Sequence, residues 1–288
     1  MSTNRTAVVT GASSGFGRLT VEALVADGWR VYGTMRDVAT RNAPVATALR
    51  AAGATVVELD VTDDASVDAA AASVLDDAGA IDVLVNNAGT GFFGIQEAFT
   101  PAAVERQFAT NVIGPLRVNR AFLPAMRDAK RGLVVYVSSV VGRFVVPYGG
   151  IYTASKWALE ALAETSSYEL APFGIDVAIV QPGAYPTEIF GKVVGADDSA
   201  RVAAYGSETA GYQAILNAGF ESSMTGRDPK DVADAIVRLA NAPAGQRPLR
   251  TTVPNDDAAE GINAAVAPIQ RAVIEGFGFG ALLPKAIV

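Results

Sequence analysis

The regular alternation of short apolar runs with longer alanine-rich stretches constrains the fold of this chain more than any other feature. The apolar, β-branched runs predict strands at Thr6–Thr10, Arg30–Thr34, Ala54–Leu59, Ile81–Asn86, Leu133–Ser138 and Ile175–Gln181. The stretches between them predict helices at about Gly15–Asp27, Ala43–Ala52, Ala65–Ala78, Pro101–Ala129 and Ile151–Pro172. Because the runs are apolar along their whole length, they are typical of parallel strands covered on both faces. The alternation therefore predicts an α/β fold, a doubly wound, Rossmann-like parallel sheet of about seven strands in a three-layer arrangement with helices on both faces.

The regular pattern becomes weaker in the last third of the chain. Residues 184–228 mix proline, glycine and short apolar clusters, so we predict a substrate loop or lid with little regular structure there. A helix over 229–241 and a last strand at 249–253 follow, and residues 256–288 form a C-terminal extension with one more helix. Since no linker or internal repeat interrupts the pattern, we expect a single domain over 1–288.

The composition excludes several kinds of chemistry and several partners. The chain has no histidine and no cysteine, so a histidine base, a thiol nucleophile and most zinc sites are ruled out, and we expect no metal. The net charge of −7 argues against binding to nucleic acid or to an anionic membrane. No apolar run approaches the length of a membrane span and no secretory signal is present, so we expect a soluble cytoplasmic protein.

A glycine-rich turn follows the first predicted strand. Gly11, Gly15 and Gly17 lie where the strand passes into a helix, in the run Thr10–Gly17. Glycine permits a positive φ and a close approach of the backbone to a ligand, and free amides at a helix start favour a pyrophosphate. The spacing G-x-x-x-G-x-G differs from the usual fingerprint, and a tight turn without a ligand is the alternative.

The residues after the second predicted strand bear on the choice of cofactor. Met35 stands where an NAD-binding protein would carry an acidic side chain, and Arg36 follows it. An arginine can hold a 2′-phosphate through its planar guanidinium, and Ser13 could add a hydroxyl donor. We therefore expect NADP(H) in preference to NAD(H). The alternative is that Arg36 is a solvated arginine and Asp37 binds the ribose of NAD.

Tyr152 and Lys156 are the candidate acid–base pair. They are four residues apart in a predicted helix and so share a face. A lysine charge favours a phenolate, so we expect Lys156 to lower the pKa of Tyr152 and to make it a proton donor to a carbonyl oxygen. An accidental pair on a solvated helix would look the same, and the neighbouring motifs decide between the two interpretations.

These motifs, in this order, resemble the short-chain dehydrogenase/reductase family in its single-domain branch, over roughly residues 5–240. The runs Thr34–Arg36 and Asn87–Gly91 are similar to those of members that act on retinoids and hydroxysteroids. The resemblance implies four catalytic residues: Asn111, Ser139, Tyr152 and Lys156. It implies a cofactor site made of Gly11, Ser13, Ser14, Gly15, Phe16, Gly17, Arg36, Asp60, Val61, Asn87, Ala88, Gly89, Tyr152, Lys156, Pro182, Gly183 and Thr187.

The resemblance also implies a role for each catalytic residue. Tyr152 would be the general acid in reduction and the base in oxidation, and Lys156 would bind the nicotinamide ribose. Ser139 would polarise the substrate carbonyl, although Ser138 competes for this role. Asn111 would disturb its helix and anchor a water in a proton relay; a tolerated helix break is the alternative.

The predicted substrate side is apolar. Loops at the carboxyl ends of the strands carry Phe92, Phe93, Val141, Phe144, Tyr148, Tyr185 and Phe190, any one of which could instead belong to the core. A lipophilic ketone, aldehyde or alcohol fits such a lining better than a phosphorylated sugar. The resemblance implies a homodimer or homotetramer built on the helices at about 101–129 and 151–172.

Three other functions compete with an NADP-dependent carbonyl reductase. A β-ketoacyl-thioester reductase would prefer a basic surface for its carrier protein, which the acidic balance disfavours. A non-catalytic NADP-binding redox sensor would not need all four catalytic residues. A sugar-nucleotide epimerase would carry a larger substrate domain.

Overall fold

A computed structural model describes residues 5–188 and 190–284, and its centre is one parallel sheet. The strands are β1 Thr6–Thr10, β2 Arg30–Met35, β3 Thr55–Glu58, β4 Val83–Asn86, β5 Gly132–Val137, β6 Ile175–Pro182 and β7 Arg250–Val253. All neighbours are parallel, in the order β3-β2-β1-β4-β5-β6-β7. The predicted doubly wound sheet is confirmed.

Helices cover both faces of the sheet. They are α1 Gly15–Ala26, α2 Ala43–Ala51, α3 Asp64–Ala78, α4 Pro101–Phe108, α5 Gly114–Ala129, α6 Gly150–Leu170, α7 Ser199–Ala204, α8 Gly206–Met224, α9 Lys230–Asn241 and α10 Asp257–Gly276. One core packs α1, α2 and α9 against the sheet through residues such as Leu24, Leu49 and Ile236. The other packs α3, α5 and α6 through Val74, Phe122 and Leu159. The three-layer arrangement follows from strands that are buried on both faces.

The order of the strands places a cleft at one edge of the sheet. The chain moves outward from β1 to β2 and β3 and then returns to β4 on the other side of β1. Open α/β sheets bind ligands outside the carboxyl ends of the strands at such a reversal. Thr10 ends β1 and Asn86 ends β4, so the two glycine-containing turns that follow these strands face each other there.

The predicted helical stretch over 101–129 is helical throughout, and a π-turn divides it at Asn111, the residue expected to disturb its helix. Helix α4 ends at Phe108, a π-helical turn spans Ala109–Ile113, and α5 begins at Gly114. The Asn111 side chain at the centre of this turn bonds the backbone N–H and C=O of Thr90, 2.9 Å away in each case. These bonds hold Asn111 inside the protein, and a π-turn is a common way for a helix to aim one side chain at a site.

The segment predicted to have little regular structure contains two helices. Asp198 caps the start of α7 by accepting a hydrogen bond from the Arg201 amide, and α8 runs on from Gly206. The apolar residues of α8 do not form a continuous buried stripe, since Tyr212 and Ile215 are exposed. The helical period was therefore weak in the sequence, and the prediction of an irregular loop was wrong.

Candidate active site

A cleft of about 800 Å³ follows the carboxyl ends of the strands, a volume usual for a cofactor or small-ligand site. It runs from the end of β2 across the glycine turn to the start of α6. The cleft brings together most of the predicted cofactor residues: Gly11, Ser13, Ser14, Gly15, Phe16, Arg36, Asp60, Val61, Asn87, Ala88, Gly89, Tyr152, Lys156 and Thr187.

The glycine turn is shaped by its backbone and by the turn after β4. Gly11 and Gly15 have φ of +71° and +52°, which glycine adopts without strain. A Cβ on Gly17 would lie 2.3 Å from Asn87 Nδ2, so this predicted cofactor residue serves close packing of the two turns. Asn87 reinforces that packing, since its Nδ2 donates to the Thr10 carbonyl at 2.8 Å.

The start of α1 fits a pyrophosphate. Its N-cap, Ser14, makes no side-chain capping bond, so the cap residue does not occupy the first amides of the helix. One of them, the Gly15 N–H, donates to the Glu188 carboxylate at 3.0 Å. Lys192 Nζ donates to Ser14 Oγ at 2.8 Å. A carboxylate on the Gly15 amide shows that this helix start accepts an anionic group.

Two arginines lie at the far end of the cleft. Arg36 Nη1 is 3.4 Å from Asp60 Oδ2, and Arg41 pairs with Asp37 at 2.7 Å. Burial alone would raise the pKa of Asp60, but hydrogen bonds from Thr62 and the Arg36 charge outweigh it and lower the pKa. The sequence analysis missed Arg41, which lines the cleft two residues before the start of α2.

Tyr152 and Lys156 lie on one face of the first turns of α6. Lys156 Nζ donates to the carbonyl of Val137, the last residue of β5, at 2.9 Å. It lies 5.6 Å from the centre of the Tyr152 ring. The Phe93 ring packs on the other side of that phenol, with ring centres 5.0 Å apart. The two side chains predicted as an acid–base pair are therefore neighbours in a mostly apolar setting.

The expected lowering of the Tyr152 pKa does not occur in this structure. Burial of the phenol raises its pKa to about 12, and the hydrogen bond with Ser139 opposes this rise. Burial also lowers the pKa of Lys156 to about 8, against the charge of Glu160, which raises it. Desolvation is therefore the largest cause of the pKa shift of both Tyr152 and Lys156 in this structure.

Asn111 reaches the same region from the π-turn. Its Nδ2 lies 3.1 Å from Ser155 Oγ, on the turn of α6 between Tyr152 and Lys156. Gln107, fully buried on α4, donates to the Thr90 carbonyl at 2.8 Å and was missed by the sequence analysis. The two amides fix the loop after β4 against α6, which keeps this loop beside the lysine.

The structure separates the two adjacent serines. Ser138 Oγ donates to the buried Glu160 carboxylate at 3.0 Å. Ser139 Oγ lies 3.3 Å from the Pro182 carbonyl and faces a small pocket of about 90 Å³. Of this pair, Ser139 is the serine placed beside Tyr152. Pro182 and Gly183, which were predicted as cofactor residues, line this small pocket and not the large cleft.

Only part of the predicted substrate lining faces this pocket. Phe93, Val141 and Tyr185 line it, whereas Phe92 packs on Phe99, Phe144 packs beneath Val140 and Val141, and Tyr148 lines a separate groove. The Phe190 side chain lies outside the described residues. Phe16, predicted as a cofactor residue, also lines the pocket. Phe220 was missed; it comes from the unexpected helix α8 and meets Phe93 edge to face at 5.9 Å. Predicting it required knowledge of the tertiary contact.

The described residues contain neither a membrane-spanning helix nor a cluster of metal ligands. None of the helices over 5–188 and 190–284 is long and apolar enough to cross a membrane. Across the same residues, no group of acidic side chains is arranged to hold a metal ion.

Comparison with known proteins identifies related sequences. The family model described as short chain dehydrogenase matches residues 5–198. A 3-ketodihydrosphingosine reductase from Bacteroides thetaiotaomicron is 39% identical over 62% of this chain and 64% of its own length. Human retinol dehydrogenase 8 is 35% identical over 83% of this chain and 78% of its own. The mouse 17-beta-hydroxysteroid dehydrogenase type 1 is 36% identical over 82% and 70%.

Solved structures share the fold. A short-chain dehydrogenase from Streptomyces avermitilis has a TM-score of 0.76 and 36% identity, covering 96% of this chain and 97% of that one. A metagenomic short-chain oxidoreductase in complex with NADP has a TM-score of 0.67 and 32% identity, covering 86% and 96%. A Burkholderia phymatum protein of the same family in complex with NAD has a TM-score of 0.73 and 27% identity, covering 96% and 95%.

Proposed function

The chain belongs to the short-chain dehydrogenase family and is an oxidoreductase, and from this premise we propose that it interconverts a lipophilic ketone or aldehyde and the corresponding alcohol with NADP(H). One observation carries the proposal. Tyr152 lines both the cofactor-sized cleft and a small apolar pocket that Ser139 also lines, so a carbonyl in the pocket would reach the tyrosine, the serine and a cofactor in the cleft.

The chain's own groups would divide the work of the reaction. The nicotinamide cofactor supplies or accepts the hydride when bound. Ser139 would hold the substrate oxygen, and Tyr152 would give it a proton in reduction and remove one in oxidation. Lys156 would bind the nicotinamide ribose, and its charge would oppose the rise in the Tyr152 pKa that burial causes. Pro182, Gly183 and Thr187 would cover the nicotinamide, and Asn111 would anchor a water in the proton relay.

The preference for NADP(H) is supported by the two arginines of the cleft. Arg36 and Arg41 have side chains that are 56% and 66% exposed, so both can turn towards a 2′-phosphate. Asp37 pairs with Arg41, which weakens the alternative that Asp37 binds the ribose of NAD. Relatives of known structure hold either cofactor, so the arginines carry this part of the proposal.

A substitution at Arg36 tests the cofactor preference. We expect Arg36→Ala to raise the KM for NADPH roughly tenfold, since one charge-assisted phosphate contact contributes about 1.5–3 kcal/mol. The KM for NADH should hardly change. Arg18→Ala, which removes an arginine paired with Glu22 outside this end of the cleft, is the control. Equal effects on NADPH and NADH would contradict the assignment.

The lipophilic substrate is supported by the lining of the small pocket. Phe93, Val141 and Phe220 surround the opening towards Tyr152, and the pocket residues include no charged side chain. The retinol, hydroxysteroid and ketodihydrosphingosine names of the relatives point to the same class. A β-ketoacyl thioester is the alternative substrate, and it belongs in the same test.

The test follows NADPH oxidation with lipophilic ketones, aldehydes and a β-ketoacyl thioester, with the wild type and Tyr152→Phe side by side. We expect wild-type turnover to fall at least about a thousandfold in the variant, because the proton donor is lost. Tyr148→Phe, a tyrosine of the separate groove, should retain activity. Turnover that survives in Tyr152→Phe would remove the tyrosine from the mechanism, and turnover only with the thioester would favour the alternative.

The proposal includes a cytoplasmic homo-oligomer. The absence of cysteine fits a reducing compartment, and several apolar side chains are exposed on α5 and α6. Cell fractionation tests the location.

A further inference from the structure

A buried carboxylate lies one helical turn beyond Lys156. Glu160 follows Lys156 by four residues on α6, so the two side chains share a face of the helix. Only 3% of the Glu160 side chain is exposed. No role in the reaction as proposed above uses this residue. A buried charge is costly unless it is paired and hydrogen-bonded, so its partners indicate why it is there.

Both hydrogen-bond donors to Glu160 Oε1 are adjacent in the chain to residues of the reaction site. Oε1 accepts hydrogen bonds from Ser138 Oγ at 3.0 Å and from Gln181 Nε2 at 2.7 Å. Ser138 precedes Ser139, and Gln181 precedes Pro182. The carboxylate therefore joins the end of β5, the end of β6 and the helix that carries Tyr152 and Lys156.

The packing around Glu160 leaves little freedom. A Cβ on Gly142, in the turn after Ser139, would lie 2.6 Å from Glu160 Oε1. From the other side, Gln181 Oε1 accepts a hydrogen bond from Asn263 Nδ2 of α10 at 2.8 Å. The C-terminal helix is thus connected to the carboxylate through a single glutamine, and the position of Glu160 Oε1 is fixed from several elements.

Two arginines lie at the other carboxylate oxygen of Glu160. Arg250 on β7 donates to Oε2 at 3.0 Å, and Arg143 lies 3.9 Å from the same oxygen. Glu164, one turn further along α6, also pairs with Arg250. Two acids and two arginines balance each other, so Lys156 adds one positive charge to a neutral cluster.

Few other ionisable groups face the lysine. On α6 they are Tyr152 and Glu160, and from the turn after β5 and from β7 they are Arg143 and Arg250, which stand behind Glu160. The end of β5 presents the Val137 carbonyl to Lys156 Nζ, and Gly89 in the loop after β4 lies close to both Lys156 and the Asn111 amide of the π-turn. Glu160 is thus the acid best placed to stabilise the ammonium.

We propose that Glu160 is a positioning residue of this oxidoreductase, whose buried carboxylate keeps Lys156 charged and holds Ser138 and Gln181 so that Ser139 and Pro182 face the substrate pocket. The inference deepens the proposed function and rests on it for its catalytic meaning. The charge it attributes to Lys156 can be measured without turnover.

The test is a direct titration of the lysine. The chain has five lysines, so ¹³Cε-lysine NMR gives few signals, and the one missing in Lys156→Met belongs to Lys156. The pKa of Lys156 is about 8, with Glu160 raising it. We expect Glu160→Gln to lower that pKa by roughly one unit, the usual size for a neighbouring charge, and leave more of the amine neutral at pH 7.

Glu164→Gln is the matched control. It also removes a carboxylate from Arg250, and it should lower the melting temperature without moving the Lys156 titration. Glu160→Asp retains the charge and should keep the titration close to the wild type, which also covers the case in which Glu160→Gln folds poorly. If the Lys156 pKa is unchanged in Glu160→Gln, or shifts equally in Glu164→Gln, the charge cluster has only a structural role.

Activity gives the second measurement. The pH at which ketone reduction is lost on the alkaline side should fall in Glu160→Gln by the same amount as the Lys156 pKa, while Glu164→Gln keeps the wild-type profile. If the wild type turns over no substrate but the titration shifts as expected, the proposed function fails and the charge assignment stands. If turnover is normal and neither profile shifts, the inference fails alone.

Discussion

Lys156 is buried with a depressed pKa, and the stability of the protein should reflect this. In the unfolded chain the amine keeps its ordinary pKa near 10.5, whereas in the folded state the pKa is about 8. Between these values the unfolded state binds more protons, so stability rises with pH there. The cost of burying the ammonium is therefore full below pH 8 and disappears as pH rises towards 10.5.

We predict that Lys156→Met stabilises the cofactor-free protein by roughly 3 kcal/mol at pH 7, since one pKa unit corresponds to about 1.4 kcal/mol. The gain should shrink as pH rises through 8, while activity is lost at every pH. Urea denaturation at pH 7 and pH 9.5 measures this, with the exposed Lys230→Met as the control. A gain that does not depend on pH would point to packing of the methionine instead.

At the scale of elements, the sequence predicted the strands better than it predicted the segment over residues 184–228. Strands β1, β2 and β6 begin where the apolar runs begin, because a strand buried on both faces must be apolar throughout. Helix α8 carries exposed Tyr212 and Ile215, so no stripe revealed it. The π-turn at Ala109–Ile113 depends on a bond between Asn111 and Thr90, a tertiary contact that periodicity does not contain.

The segment after β6 competes with a cofactor for the start of α1. Glu188 accepts from the Gly15 amide at 3.0 Å, in the place where a pyrophosphate would bind. We predict that Glu188→Gln lowers the Kd for NADPH severalfold, because a like charge no longer opposes the phosphates. Fluorescence titration measures it.

Asp68→Asn is the matched control for that titration. It removes the same charge from an exposed position on α3, away from the glycine turn. If both variants bind NADPH equally more tightly, the effect comes from the net charge of the molecule and not from the contact at Gly15. If Glu188→Gln binds more weakly, the carboxylate assists the cofactor site and the competition does not exist.

At the scale of the whole molecule, the sequence predicted the edge of the sheet that carries the site. The carboxyl ends of parallel strands lie at the same edge of a sheet. The turn with Gly11 and the turn with Asn87 follow neighbouring strands, and they meet at this edge. The sequence did not show the charge balance beneath the site, because Arg143 and Arg250 are far apart in the chain and meet only at Glu160. The Lys156 pKa therefore could not be derived from the Tyr152–Lys156 spacing.

Exposed apolar side chains on one side of the molecule predict how it associates. Four exposed apolar side chains lie on the same side of the sheet: Ile113 at the end of the π-turn, Leu116 on α5, and Trp157 and Leu162 on α6. Exposed apolar groups of this kind mark association surfaces. We expect a homodimer or homotetramer that uses this side, and Leu116→Arg should shift it towards the monomer by burying a charge in the interface.

Light scattering after size exclusion measures the mass of each variant. Val145→Arg is the control, because Val145 is 74% exposed in the separate groove beside Tyr148 and not on α5. Circular dichroism should show that both variants fold. A wild type that is monomeric at micromolar concentration would contradict the prediction outright. Dissociation by Val145→Arg alone would move the interface to the groove, where Trp157 also lies, and would leave α5 free for another partner.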